Sequence, residues 1–102
     1  MSKKRVVVTG MGALTPIGNS LDEFWKNLVN GVSGAAPITK FDSSLFKTQF
    51  ACEVKDFNVE ELIERKEARK LDLFSQYAMF SSIEAINDSG LDIEKVNLDR
   101  CG

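Results

Sequence analysis

An α/β fold class is expected for this chain of 102 residues, on three observations. Residues 5–9 read Arg-Val-Val-Val-Thr, and three consecutive β-branched residues suit a strand covered on both faces, as in a parallel sheet. Leu21, Phe24, Trp25, Leu28 and Val29 fall at i, i+3, i+4, i+7 and i+8, the apolar face of a helix. Residues 72–89 carry Leu73, Phe74, Tyr77, Ala78, Phe80, Ser81, Ala85 and Ile86, an apolar arc too wide for a surface helix.

The elements follow in order. After the strand at 5–9, Gly10, Gly12, Pro16 and Gly18 make a loop with special backbone positions. Ser20 and Glu23 have the spacing of a capping box, and Asn30-Gly31 supplies the stop. Phe24 and Trp25 read as core. Residues 31–47 look irregular, with Gly34, Pro37 and Asp42. Residues 48–54 alternate well enough for a short strand. Asn58 with Glu61 reads as a second cap, for a short helix through Val59, Leu62 and Ile63. The charged run 64–70 leads into the long helix at about 72–89, which Gly90 ends. Residues 91–98 alternate apolar with charged. No repeat or low-complexity segment is present.

A parallel strand needs a parallel neighbour reached through a crossover, and no second strong strand follows the long helix. The pattern therefore reads as the front part of a longer protein. The alternative is a small α+β domain closed by its own short strands.

Composition excludes several function classes. Thirteen Lys and Arg against fifteen Asp and Glu give a net charge of -2, without the basic excess of nucleic-acid domains. No histidine is present, which removes a Ser-His-Asp triad, a Cys-His dyad and a His-ligated metal from this chain. Two cysteines, Cys52 and Cys101, are too few for a disulfide scaffold or a four-ligand zinc site. Neither a signal peptide nor a membrane span is visible, so a soluble cytoplasmic setting with reduced thiols is expected.

Three motifs remain. The strand running into Gly10-Met-Gly12-Ala13 has the start of a dinucleotide-binding turn. Position 15 is Thr, however, and no helix begins directly after Gly12. A tight glycine turn at a sheet edge is the better reading. Cys52, in a strand without a base beside it, reads as a small buried apolar residue. The cluster Arg65, Lys66, Arg69 and Lys70 is different. Glu61 stands four residues before Arg65 and can pair it, which leaves Lys66, Arg69 and Lys70 as a local positive patch. That patch reads either as a solvated face or as a dock for a phosphate or an acidic helix.

The motif Arg5-Val-Val-Val-Thr-Gly-Met-Gly-Ala-Leu-Thr-Pro-Ile-Gly18 resembles the opening of the β-ketoacyl-acyl-carrier-protein synthases, closest to the type II enzymes of bacterial fatty-acid elongation. Phe24-Trp25-Lys26, Gly31-Val-Ser-Gly34, Phe41-Asp42, Val54-Lys-Asp-Phe57, Arg65-Lys-Glu-Ala-Arg-Lys-Leu-Asp72 and Ala85-Ile-Asn-Asp-Ser-Gly-Leu91 are similar to that family in order and spacing. The resemblance implies a thiolase-like fold of two similar halves in α-β-α-β-α layers. Residues 1–102 would be the N-terminal segment of its first half, incomplete as an independent domain.

It also implies an acyltransferase that condenses malonyl-carrier-protein with an acyl chain held as a cysteine thioester, loss of carbon dioxide supplying the carbanion. The nucleophilic cysteine and two histidines of that chemistry lie beyond residue 102 in the family. No catalytic residue is thus expected in this chain, and the chain alone is expected to be inactive. No cofactor and no metal are implied. The implied partners are acyl carrier protein, whose acidic recognition helix meets cations at the positions of Lys66, Arg69 and Lys70, and a second subunit in a homodimer. Nucleic acid and membrane are not implied.

Overall fold

The computed structural model describes residues 3–102. Helix α1 spans Leu21–Val29. The Ser20 hydroxyl accepts from Glu23 N at 3.2 Å, one half of the expected capping box. Its C-terminus is a Schellman turn: Gly31 takes φ +70, Gly31 N donates to Leu28 O at 3.2 Å and Val32 N to Asn27 O at 2.9 Å. The left-handed position is why glycine stands there.

Strands β1 (Ala35–Pro37) and β2 (Phe50–Cys52) pair antiparallel, with Ala36 opposite Ala51. The expected strand at 48–54 is therefore three residues long. Its partner lies in the stretch read as irregular, because Pro37 weakens the strand pattern while remaining tolerable at an edge. The Glu53 carboxylate reaches back to Thr39, accepting from Oγ1 at 2.9 Å and from the amide at 3.2 Å.

The expected helix after Asn58 is a single 3-10 turn, Val59–Glu61, with the Asn58 side chain accepting from Glu60 N. Glu64 is extended, so the helical path from Glu61 to Arg65 is broken. Arg65 pairs with Glu60 at 3.6 Å instead of Glu61. Helix α2 is one turn, Arg65–Ala68. Helix α3, Leu73–Ser89, matches the long apolar segment, and Gly90 ends it at φ 68. The alternating residues 91–98 form no strand; they give 3-10 turns at Ile93–Lys95 and Leu98–Arg100, capped by the Asp92 and Asn97 side chains.

The principal correction concerns residues 5–9. Among the described residues they form no strand, and Val6, Val7 and Val8 are 92%, 66% and 80% exposed. A strand with two apolar faces needs a neighbour along its edges and a layer over each face, and the remaining described residues supply neither. Trp25 is likewise exposed and Phe24 only half-buried, so neither is core here. Cys52 is exposed as well, because nothing covers its side of the two-stranded sheet.

Among the described residues the buried hydrophobic ones are Ile63 and Ala68, and Phe57 packs edge-on against Tyr77 and Phe80. The radius of gyration is 17.8 Å, where a compact domain of this length has about 13 Å. The accessible surface is 8679 Å², about 3,000 Å² more than size scaling gives a folded monomer of this mass.

Candidate functional site

The positive patch is built on α2. Ala68, 4% exposed, anchors the turn, and its neighbours in sequence face solvent. Gln76 on α3 holds the other side: its Nε2 donates to Ala68 O at 2.9 Å and to Leu71 O at 3.2 Å. Ala68 O also accepts from Leu71 N at 3.1 Å, so Gln76 adds a second bond there and gives Leu71 O a donor as the helical turn ends. Lys66 and Arg69 are exposed, and among the described residues neither forms an ion pair within 4.0 Å. Lys70 is exposed but pairs with Glu67 at 3.4 Å. That pair is open to water and contributes little to stability, yet it offsets part of the Lys70 charge. Arg65 is committed to Glu60. The cations expected to form the patch thus divide into two free ones, Lys66 and Arg69, and one partly neutralised, Lys70.

The glycine-rich opening is a packing device. A Cβ on Gly10 would fall 2.5 Å from Ser89 N, and one on Gly12 would fall 3.0 Å from Ala85 N and closer still to Ser81 O. The main chain of residues 10–12 therefore lies directly on α3, along the small side chains Ser81, Ala85 and Ser89. Two carboxylates fasten it. Asp88 Oδ2 accepts from Met11 N at 2.9 Å, and Glu84 Oε1 from Ala13 N at 2.8 Å. Glu84 also accepts from Leu21 N at 3.0 Å, the first N–H of α1, where a negative charge opposes the positive end of the helix dipole. With these amides occupied and acidic groups around them, the loop has no room or charge for a phosphate.

A third fastening is Lys55, whose ammonium donates to Pro16 O, Gly34 O and Glu53 O at 3.2, 3.0 and 3.1 Å. All three donors are used, so Lys55 ties a loop to one end of the small sheet, where β1 begins and β2 finishes. It borders an open cleft of about 430 Å³, and Asn19 Nδ2 donates to its carbonyl at 2.7 Å.

The Thr39 hydroxyl bond holds the Glu53 carboxyl below its ordinary pKa. The Ser44 amide does the same for Asp42. Among the described residues no three His, Cys, Asp or Glu side chains are grouped to hold a metal, and no helix is long and apolar enough to cross a membrane.

Helical spacing groups Lys66, Arg69 and Lys70, but it carries no signal for the groups that hold the scaffold, Gln76, Glu84 and Lys55. The spacing of Ser81, Ala85 and Ser89, one small residue per turn, was the available signal for a backbone lying on α3.

Residues 3–102 match the family model described as the β-ketoacyl synthase N-terminal domain. The chain is 51% identical over 102 residues to the 3-oxoacyl-[acyl-carrier-protein] synthase 2 of Vibrio harveyi, covering 100% of this chain and 25% of that protein. It is 48% identical over 102 residues to the synthase of the same name from Synechocystis sp., covering 100% and 24%. The chain thus spans about a quarter of the length of the curated relatives it matches.

Among solved structures, the ishigamide ketosynthase/chain length factor superposes with a TM-score of 0.85 at 35% identity, over 94% of this chain and 24% of that one. A chain from a type II PKS acyl-carrier protein complex with its ketosynthase bound to the hexaketide gives 0.70 at 29%, over 94% and 25%. The expected fold class, α/β as the N-terminal part of a thiolase-like layered fold, agrees with these neighbours. Sequence match and superposition together make this chain a member of the β-ketoacyl synthase family, lying within that family's N-terminal domain.

Proposed function

We propose that this chain is the N-terminal segment of a 3-oxoacyl-acyl-carrier-protein synthase of fatty-acid elongation, which joins malonyl-carrier-protein to an acyl-carrier-protein by decarboxylative Claisen condensation. Within it, residues 1–102 supply structure and part of the carrier-protein dock and contribute no catalytic group. The 102-residue chain alone is inactive and incomplete as an independent domain. The intact enzyme is a cytoplasmic homodimer whose reaction uses no cofactor.

Lys66 and Arg69 carry the docking role, with Lys70 in support. The observation behind it is two exposed, unpaired cations on a turn made rigid by Ala68 and Gln76, in a chain that is acidic in sum. A solved neighbour holds an acyl-carrier protein beside its ketosynthase. Carrier docking is transient, and exposed charges of this kind act on encounter rate and salt dependence.

The test is titration of this chain with an acidic acyl carrier protein at low ionic strength. Lys66→Glu with Arg69→Glu weakens binding about tenfold or more, Lys70→Glu weakens it less, and added salt removes the difference. Equal binding by the variant and the parent chain, with α3 helicity unchanged, contradicts the docking role.

A further inference from the structure

The nine lysines are not equivalent. Lys55 spends its donors on three carbonyls, and Lys40 donates to the Tyr77 hydroxyl at 3.5 Å. Lys70 and Lys95 pair with Glu67 and Asp92 at 3.4 and 3.9 Å. Among the described residues Lys66 is exposed with no carboxylate within 4.0 Å of its amine. Lys26 and Lys47 are exposed as well, but their surroundings differ. Lys26 stands one helical turn after Asp22 and Glu23, and Lys47 has no other Lys or Arg within six positions. Lys3 and Lys4 neighbour Arg5, yet among the described residues no main-chain hydrogen bond fixes that segment.

Lys66 alone has a free cation in a fixed place beside it. Arg69 keeps helical backbone angles, and its amide donates to Arg65 O at 3.1 Å. Residues three apart on such a turn share a face. An amine free to react thus lies next to a guanidinium free to hold an anion, on a turn anchored by Ala68 and Gln76.

We propose that Lys66 is a site of N-acylation by acyl donors that carry phosphate, with Arg69 holding the phosphate while the amine attacks. The shared chemistry is an activated acyl carbon on an anionic carrier, either a coenzyme A thioester or an acyl phosphate. The ammonium gives one proton to water, and the amine attacks the carbonyl carbon. The C–N bond forms, the C–S or C–O bond breaks, and the second proton leaves as the thiolate or phosphate departs. The amide product is uncharged, so acylation removes one of the two free cations of the patch. Its consequence for carrier docking, unlike the modification itself, rests on the function proposed above.

The experiment incubates the 102-residue chain separately with acetyl-CoA, acetyl phosphate and the neutral thioester S-acetyl-N-acetylcysteamine. Peptide mass spectrometry reads acetylation at each lysine. With a phosphate-bearing donor, Lys66 is expected to react about fivefold or more faster than Lys26 or Lys47, through the raised local concentration of the anion. The preference falls with added salt and with Arg69→Ala, and it is absent with the neutral thioester. Preference with acetyl-CoA alone assigns the thioester as donor, and preference with acetyl phosphate alone assigns the acyl phosphate. Circular dichroism checks that Arg69→Ala keeps α3. Even acetylation across the exposed lysines overturns the inference. So does a preference for Lys3 and Lys4, or an equal preference for Lys66 with the neutral donor. In the carrier titration, the chain acetylated at Lys66 and the Lys66→Gln variant both bind severalfold more weakly. Selective acetylation with unchanged carrier binding counts against the docking role and leaves the modification site standing.

Discussion

Residues 5–9 and 10–13 are consecutive in the chain and opposite in condition. The first segment is three valines with no neighbour. The second is held to α3 by two carboxylates and by glycines that bring its backbone against the helix. Intrinsic preference does not separate them, since the valine run is the stronger secondary-structure signal of the two. What separates them is where the partner sits. The partner of residues 10–13 is roughly seventy positions away in the same chain, while residues 5–9 need strands that the described residues do not contain. A strand is a property of a sheet, whereas a cap or a close helix contact can be completed by a handful of atoms.

The sharpest way to break this contrast is at the glycines. Gly12→Val places side-chain carbons where Ser81 O and Ala85 N already lie. Expelling the loop from α3 is expected to cost about 3 kcal/mol, read as lost thermal stability of α3 by circular dichroism. Glu84→Ala comes next. It leaves Ala13 N and Leu21 N without their acceptor, an expected loss of about 1–3 kcal/mol. Glu84→Gln, which keeps one acceptor, should lose less.

Acid sharpens the comparison within the small sheet. The Thr39 and Ser44 hydrogen bonds keep Glu53 and Asp42 below their ordinary pKa values. Depressed carboxylates stabilise the folded form above their unfolded pKa and lose that contribution as pH falls through the folded value. The β1–β2 connection should therefore loosen on the acid side of the ordinary carboxylate range, and Glu53→Gln should flatten that dependence in a urea titration repeated at several pH values. The smallest effect belongs to the unpaired segment. Val7→Ser in the isolated chain should change stability by no more than about 0.5 kcal/mol, although the same substitution inside a packed sheet would be severe.

The parts that local chemistry decides were legible. The Ser20 cap, the Gly31 and Gly90 stops and the extent of α3 follow from side chains within a few residues of one another. The grouping of Lys66, Arg69 and Lys70 presumes helical spacing over 65–70, and α2 ends at Ala68 with Arg69 as its C-cap. Helical spacing pairs Arg65 with Glu61, but Glu64 leaves the helical path and Arg65 meets Glu60 instead; one extended residue is enough to undo an i, i+4 pairing. The pairing of β1 with β2 was hidden by Pro37 and a long connection. Gln76, Glu84 and Lys55 reach partners up to 71 positions away, and only tertiary structure brings such groups together. The patterns of Trp25 and Cys52 presume a covering layer that the described residues do not supply, and both are exposed.

Amide hydrogen exchange on the 102-residue chain tests the central contrast most directly. The account predicts that the Met11, Ala13 and Leu21 amides are protected, that Glu84→Ala removes the protection of the latter two, and that Val6 to Thr9 exchange at the rates of an unstructured peptide. Protection of Val6 to Thr9 in the monomeric chain, or free exchange at Ala13 and Leu21, would contradict it.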